Sequence, residues 1–168
     1  LTRSRGLGDV YKRQIKKKVK KEKLVIIQPF GRAITQIDNS FVDKSNRSIE
    51  FSNLKQIIKK LQEKDWAVCI MSEFGIEFKD AGFKDEVAIP EIPDLRKWAG
   101  LIKYADHFLG CDSVGQHLAK AMETPASVVM GATYPINTSY PNDKNFTIID
   151  MGQFDSCLLY TSDAADDC

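Results

Sequence analysis

From Leu24 the run LVIIQPF is short, branched and apolar up to its glutamine, the pattern of a strand covered on both faces. A polar stretch rich in Asp, Asn and Ser follows and reads as a loop. Beyond it Phe51, Leu54, Ile57, Ile58 and Leu61 recur at helical spacing through FSNLKQIIKKLQEK, an apolar stripe on an otherwise charged helix. WAVCIM, Trp66 to Met71, returns to strand character, and EVAIP near Val87 is a shorter candidate. Leu95, Trp98, Ile102 and Ala105 mark one face of a second helix, which Asp94 is placed to cap and which ends at Asp106. HFLGC, a helix opening within DSVGQHLAKAM, then ASVVMG and FTIID complete the series.

Strands and helices thus alternate, which predicts the α/β class: a Rossmann-like, mainly parallel sheet with helices on both faces. Ligands of such sheets gather beyond the carboxyl ends of the strands. GCDSVGQHLAKAM, Gly110 to Met122, lies at one of those ends, where an apolar run breaks into small polar residues just before a helix. A helix start leaves amide donors unpaired and carries partial positive charge, so it suits anionic groups. Ser113 adds a hydroxyl donor, Gly115 permits close approach of the backbone, and Asp112 can fix the turn or accept from a ribose or sugar hydroxyl. His117, one turn into the helix, is able to point back at the same mouth. The outline is that of an anion or nucleotide site. The same residues carry a plainer reading, because Asp and Ser are the usual helix caps and a lone histidine is more often structural than a ligand.

Charge changes little in this picture. Lys and Arg number 24 against 23 Asp and Glu, a formal net charge of +1, which gives no reason to expect nucleic acid as a partner. No apolar run approaches bilayer length and nothing resembles a secretory signal, so no transmembrane segment is expected and the domain reads as soluble and cytoplasmic. Cys69 and Cys111 lie far apart in apolar stretches and read as reduced core residues, without the spacing of a zinc site or a disulfide framework. The Lys-rich IKKKVKKEK, residues 15–23, reads as a solvated linker, with a contact to nucleic acid or anionic lipid as the alternative.

The two ends stand apart from this pattern. DVYKRQ, Asp9 to Gln14, and CLLYTS, from Cys157, can be encoded by the two arms of one inverted DNA repeat, and both ends resemble translated sequencing adapter. Residues 1–14 and 157–168 are therefore set aside as artefact, genuine tails being the alternative. Residues 24–156 remain as one Rossmann-like domain with a core of its own. The GLG of residues 6–8 lacks both the third glycine and the preceding strand of a phosphate loop.

ADHFLGCDSVGQHLAKAMETPASVVMGATYP resembles the donor-binding signature of the heptosyltransferase-like glycosyltransferases. Asp112, Ser113, His117, Leu118 and Ala119 fall at matching positions, as do Pro125, Gly131, Thr133 and Pro135. DLRKWAGLIKYAD matches the helix before that signature, and KLVIIQPFGR the strand opening the family's C-terminal half. Val114 stands where the family usually has glycine, and Ala132 and Tyr134 replace its Pro and Asp.

The resemblance implies the C-terminal half of a GT-B type enzyme of lipopolysaccharide or surface-glycan synthesis, gripping a nucleotide-diphosphate sugar. A missing N-terminal half would hold the glycan or glycolipid acceptor and the catalytic base, so the fragment is expected to be inactive alone and to contain no catalytic residue. The parent enzyme is expected in the cytoplasm, at most peripheral to the inner membrane. The implied donor contacts are Asp112, Ser113, Val114, Gly115, His117 and Thr133. Lys44 or Arg47 is implied as the phosphate partner unless both are ordinary loop charges, and Ser72 and Glu73 are placed to face base or ribose. No Asp-X-Asp pair occurs, so neither metal nor cofactor is expected. Two other readings stay open: a noncatalytic nucleotide-binding module and a fragment of a nucleotide-sugar epimerase.

Overall fold

The computed structural model describes residues 21–31, 34–37, 40–43, 45–73, 82–131 and 133–152. The artefact assigned to residues 1–14 and 157–168, most of the Lys-rich linker, and Lys44 lie outside the described residues. The elements run β1 (Lys23–Gln28), β2 (Ile34–Ile37), β3 (Ser40–Asp43), α1 (Phe51–Glu63), β4 (Trp66–Ile70), α2 (Leu95–Tyr104), β5 (His107–Cys111), α3 (Val114–Ala121), β6 (Ala126–Met130), α4 (Pro135–Thr138) and β7 (Phe146–Asp150).

Five strands form one sheet in the order β4-β1-β5-β6-β7, and every pairing in it is parallel. The central strand β1 alternates between two cores. Leu24 and Ile26 join Trp98, Leu101 and Ile102 of α2 and Ala119 of α3, whereas Val25 and Ile27 join Leu54 and Ile58 of α1 on the other side. Helices thus cover both faces, which is why β1 is apolar at successive rather than alternate positions.

Two segments depart from the sequence reading. The stretch read as a polar loop contains an antiparallel hairpin, β2 with β3, in which Ile37 pairs with Ser40. Its strands ITQI and SFVD are four residues each, too short for their alternation to stand out from the polar residues between them. EVAIP, in contrast, is not a full strand: Ala88 makes a single parallel bridge to Cys69 at the outer edge of β4. Gln62, buried at the end of α1, secures that segment by accepting from the amides of Lys84 and Asp85 and donating to the carbonyl of Asp85. Asp94 caps α2 as expected, accepting from the amide of Arg96 at 2.9 Å.

The connections leaving β1 define the site. The chain passes from β1 through the hairpin and α1 to β4 on one flank, then through α2 to β5 on the opposite flank. Strand order therefore reverses between β1 and β5, and a crevice opens at their carboxyl ends, Gln28 and Cys111. Helix α3 starts at that crevice and lies close on the sheet because Gly115 has no side chain. A Cβ there would stand 2.4 Å from Cζ of Phe108 and 2.3 Å from Oε1 of Gln28. Gly115→Ala should therefore lift α3 from β5 and cost about 1–3 kcal/mol of stability, read as a lowered urea midpoint with an unchanged slope.

Candidate functional site

The packet after β5 is held from three directions. Asp112 is buried, its Oδ1 accepting from Nε2 of Gln116 at 2.7 Å and its Oδ2 from the hydroxyl of Thr133 at 2.6 Å. Ser113 occupies the N-cap position of α3, yet its hydroxyl does not cap the helix. It accepts instead from Nε2 of Gln28 at 3.0 Å, while Oε1 of Gln28 accepts from the amide of Gly115 at 2.8 Å. The plainer reading of Asp112 and Ser113 as helix caps therefore does not describe this junction. The side-chain cap comes from the end of β1, across the strand boundary.

The amide of Gly115 is buried and donates to Gln28, and its missing side chain lets α3 pack against Phe108. The amide of Val114 has no partner among the described residues, and the residue is 37% exposed. The donors left uncommitted at the step among the described residues are thus the Ser113 hydroxyl and the Val114 amide. Oε1 of Gln116 is buried and without a partner among the described residues, an unfilled acceptor on the same amide that grips Asp112.

Arg47 reaches the junction on a loop built around one carboxylate. Asp43 accepts from the hydroxyls of Ser45 and Ser48 at 2.5 Å each, from their amides at 2.8 Å, and from the amide of Arg47 at 3.2 Å. The loop rests on the end of β6, where a Cβ on Gly131 would stand 2.7 Å from the carbonyl oxygen of Asn46. Nε of Arg47 is 4.0 Å from Oδ2 of Asp112, and the Arg47 side chain remains 45% exposed. Such a pair adds little stability and engages at most one of the guanidinium's five donors. Partial burial acts to raise the Asp43 pKa, but the donors of Ser45 and Ser48 outweigh it and hold the carboxyl below its ordinary value.

Other expected members are not drawn in. Nδ1 of His117 lies 2.9 Å from the hydroxyl of Tyr140, with the rings edge to face at 5.7 Å. The histidine is thereby turned to Tyr140 and not back to the mouth. Ser72 and Glu73 follow β4, two strands and about 10 Å from β5 across the sheet. A cavity of about 630 Å³ opens beside Lys120, Ile136, Ser139, Tyr140 and Lys144, and neither Asp112, Ser113, Thr133 nor Arg47 lines it. Gln28 is the residue that sequence reasoning missed, although it is the one polar position in β1 besides its opening lysine.

No group of three or more His, Cys, Asp or Glu side chains is arranged to hold a metal among the described residues. Cys69 and Cys111 are buried and unpaired, and burial pushes both thiols up to about 12. No helix among the described residues is long and apolar enough to cross a membrane.

No family model and no curated protein sequence matches the chain. Solved structures do. The E. coli heptosyltransferase WaaC with ADP superposes with a TM-score of 0.58 at 18% identity, over 76% of this chain and 38% of WaaC. The E. coli ADP-heptose lipopolysaccharide heptosyltransferase II gives 0.62 at 12% identity, over 86% of this chain and 43% of that one. The iron-containing dodecameric glycosyltransferase TibC of enterotoxigenic E. coli gives 0.51 at 18% identity, over 84% and 36%. These likenesses establish the Rossmann-like α/β fold expected from the sequence, and the chain spans well under half the length of each.

Because the folded pKa of Asp43 is depressed, its contribution to stability is present above the unfolded value of about 3.9 and is lost as pH falls through the folded value. Asp43→Asn should lower stability at pH 7 by about 1–2 kcal/mol. Urea midpoints measured between pH 6 and pH 3 should fall less steeply in the variant than in the parent chain.

Proposed function

We propose that this chain is the donor-binding half of a glycosyltransferase that uses a nucleotide-diphosphate sugar in lipopolysaccharide or surface-glycan synthesis. The observation that carries the proposal is the step at the β1/β5 switch point. A serine hydroxyl released from capping duty, an unpaired amide at Val114 and the exposed side chain of Arg47 meet there. Support comes from the fold, since structures of the same architecture include WaaC with ADP and with ADP-2-deoxy-2-fluoro heptose.

The chemistry these groups suit is departure of a diphosphate. As the bond between the anomeric carbon and the diphosphate oxygen breaks, both electrons stay on that oxygen and negative charge grows on the leaving group. Donors already fixed in place stabilise that charge without reorganising, and the positive end of α3 adds to them. Arg47 suits phosphate because its planar fork can meet two oxygens at once. Asp112 is a positioning residue in this reading: its oxygens are occupied by Gln116 and Thr133, tying the start of α3 to the segment after β6. Lys44 is retained as a second phosphate partner, and Ser72 and Glu73 as contacts to the base or ribose from the end of β4. Thr133 supports the site through Asp112, and His117 through Tyr140 shapes its flank.

In this reading the acceptor and the general base belong to the remainder of a longer protein working in the cytoplasm, transfer needs no divalent metal, and the 168-residue chain alone transfers no sugar. Calorimetric titration of the chain with ADP should show binding in roughly the 0.1–1 mM range. Ser113→Glu should abolish it, and Arg47→Ala should weaken it about tenfold. A folded chain that gives no heat of binding with ADP contradicts the proposal.

A further inference from the structure

We infer that Gln28 is a positioning residue that sets the polarity of the Ser113 hydroxyl, making it a dedicated donor to the phosphate oxygens of the bound nucleotide; this deepens the donor-site reading above and rests on it. The argument starts from Gly115. Its amide can only donate, so the Gln28 atom 2.8 Å away must be the carbonyl oxygen Oε1. That fixes which way round the Gln28 amide lies and leaves Nε2 facing Oγ of Ser113 at 3.0 Å. An amide nitrogen can only donate, so the serine oxygen must accept there. The hydroxyl proton is then directed away from Gln28, and Ser113 makes no hydrogen bond to an acceptor among the described residues. Gln28 is 8% exposed and sits in the ladder of β1, so the orientation is imposed by the sheet and not by solvent.

The accessible group at the junction is the Ser113 hydroxyl, because the other uncommitted polar atom, Oε1 of Gln116, is buried. The junction therefore offers one aimed proton. Phosphate oxygens only accept, so they match the Ser113 proton and gain nothing from a serine turned the other way.

Gln28→Glu separates capping from polarity. A carboxylate at position 28 still accepts from the Gly115 amide, but it also accepts from Ser113, whose hydroxyl then turns inward and presents lone pairs to the phosphate. ADP titration of the 168-residue chain is run on the parent, Gln28→Glu, Ser113→Ala and the double variant, with Gly115 amide exchange as the control for an intact cap. Ser113→Ala should weaken ADP about tenfold in the parent and by less than about twofold in the Gln28→Glu background. The Gly115 amide should stay protected in both backgrounds. Gln28→Met is the second background if the glutamate variant does not fold; it removes both amide atoms and leaves the hydroxyl free to rotate instead of held with its proton outward, so the Ser113→Ala effect should again shrink. Equal Ser113→Ala effects in both backgrounds overturn the inference while leaving the donor site standing. A parent chain that is folded and does not bind ADP overturns both.

Discussion

The amides that open a helix must find partners, and in this protein the pairing at α3 is made by a side chain from another strand. Gln28 ends β1, Gly115 lies in the first turn of α3, and the bond between them spans 87 residues of sequence. It is possible only because Gly115 brings the helix down onto Phe108 and the sheet. Once Gln28 caps the helix, Ser113 is free of the role its position would ordinarily give it. Asp112 is likewise withdrawn, held by Gln116 and Thr133, so the polar residues that begin α3 separate into a framework and an exposed donor step. The reversal of strand order between β1 and β5 puts that step at the mouth of the crevice where parallel sheets bind ligands.

Periodicity made the sheet legible because β1 and β4 are near-continuous apolar runs, the other parallel strands are short and mostly apolar, and each long helix carries a single stripe. His107–Cys111, for example, coincides with HFLGC because the polar residues after it leave no other end for the strand. The hairpin of β2 and β3 was not legible, since both strands are short and one contains the Asp43 that organises the following loop. The packet at Asp112 and Ser113 could be located from sequence, but its wiring could not. Nothing local in DSVGQH shows that Gly115 is paired with a residue on β1, or that His117 turns to Tyr140. Both contacts depend on strand order, which composition and spacing do not encode.

Two regions of the described surface differ in chemistry. One is the step at the β1/β5 switch point, with Ser113, Val114 and Arg47. The other is the cavity of about 630 Å³ beside Lys120 and Lys144, where Lys120 is also paired with Asp143 and lies over the Tyr140 ring. A volume of that size suits a small molecule. Electrostatics favours the first for a diphosphate, because its donors are unspent and lie at the positive end of a helix, whereas the Lys120 ammonium is already neutralised by a carboxylate. α3 runs between the two, its N-terminus at the step and its last turn at Lys120.

The most direct test of the central claim is the location of ADP on the surface, read by amide chemical-shift changes during a titration of the isotopically labelled chain. The donor step predicts saturable shifts centred on Ser113 and Val114, with the Arg47 side-chain Nε–H moving at the same concentration. Shifts confined to residues 136–144 and Lys120, with Ser113 and Val114 unmoved, would contradict it.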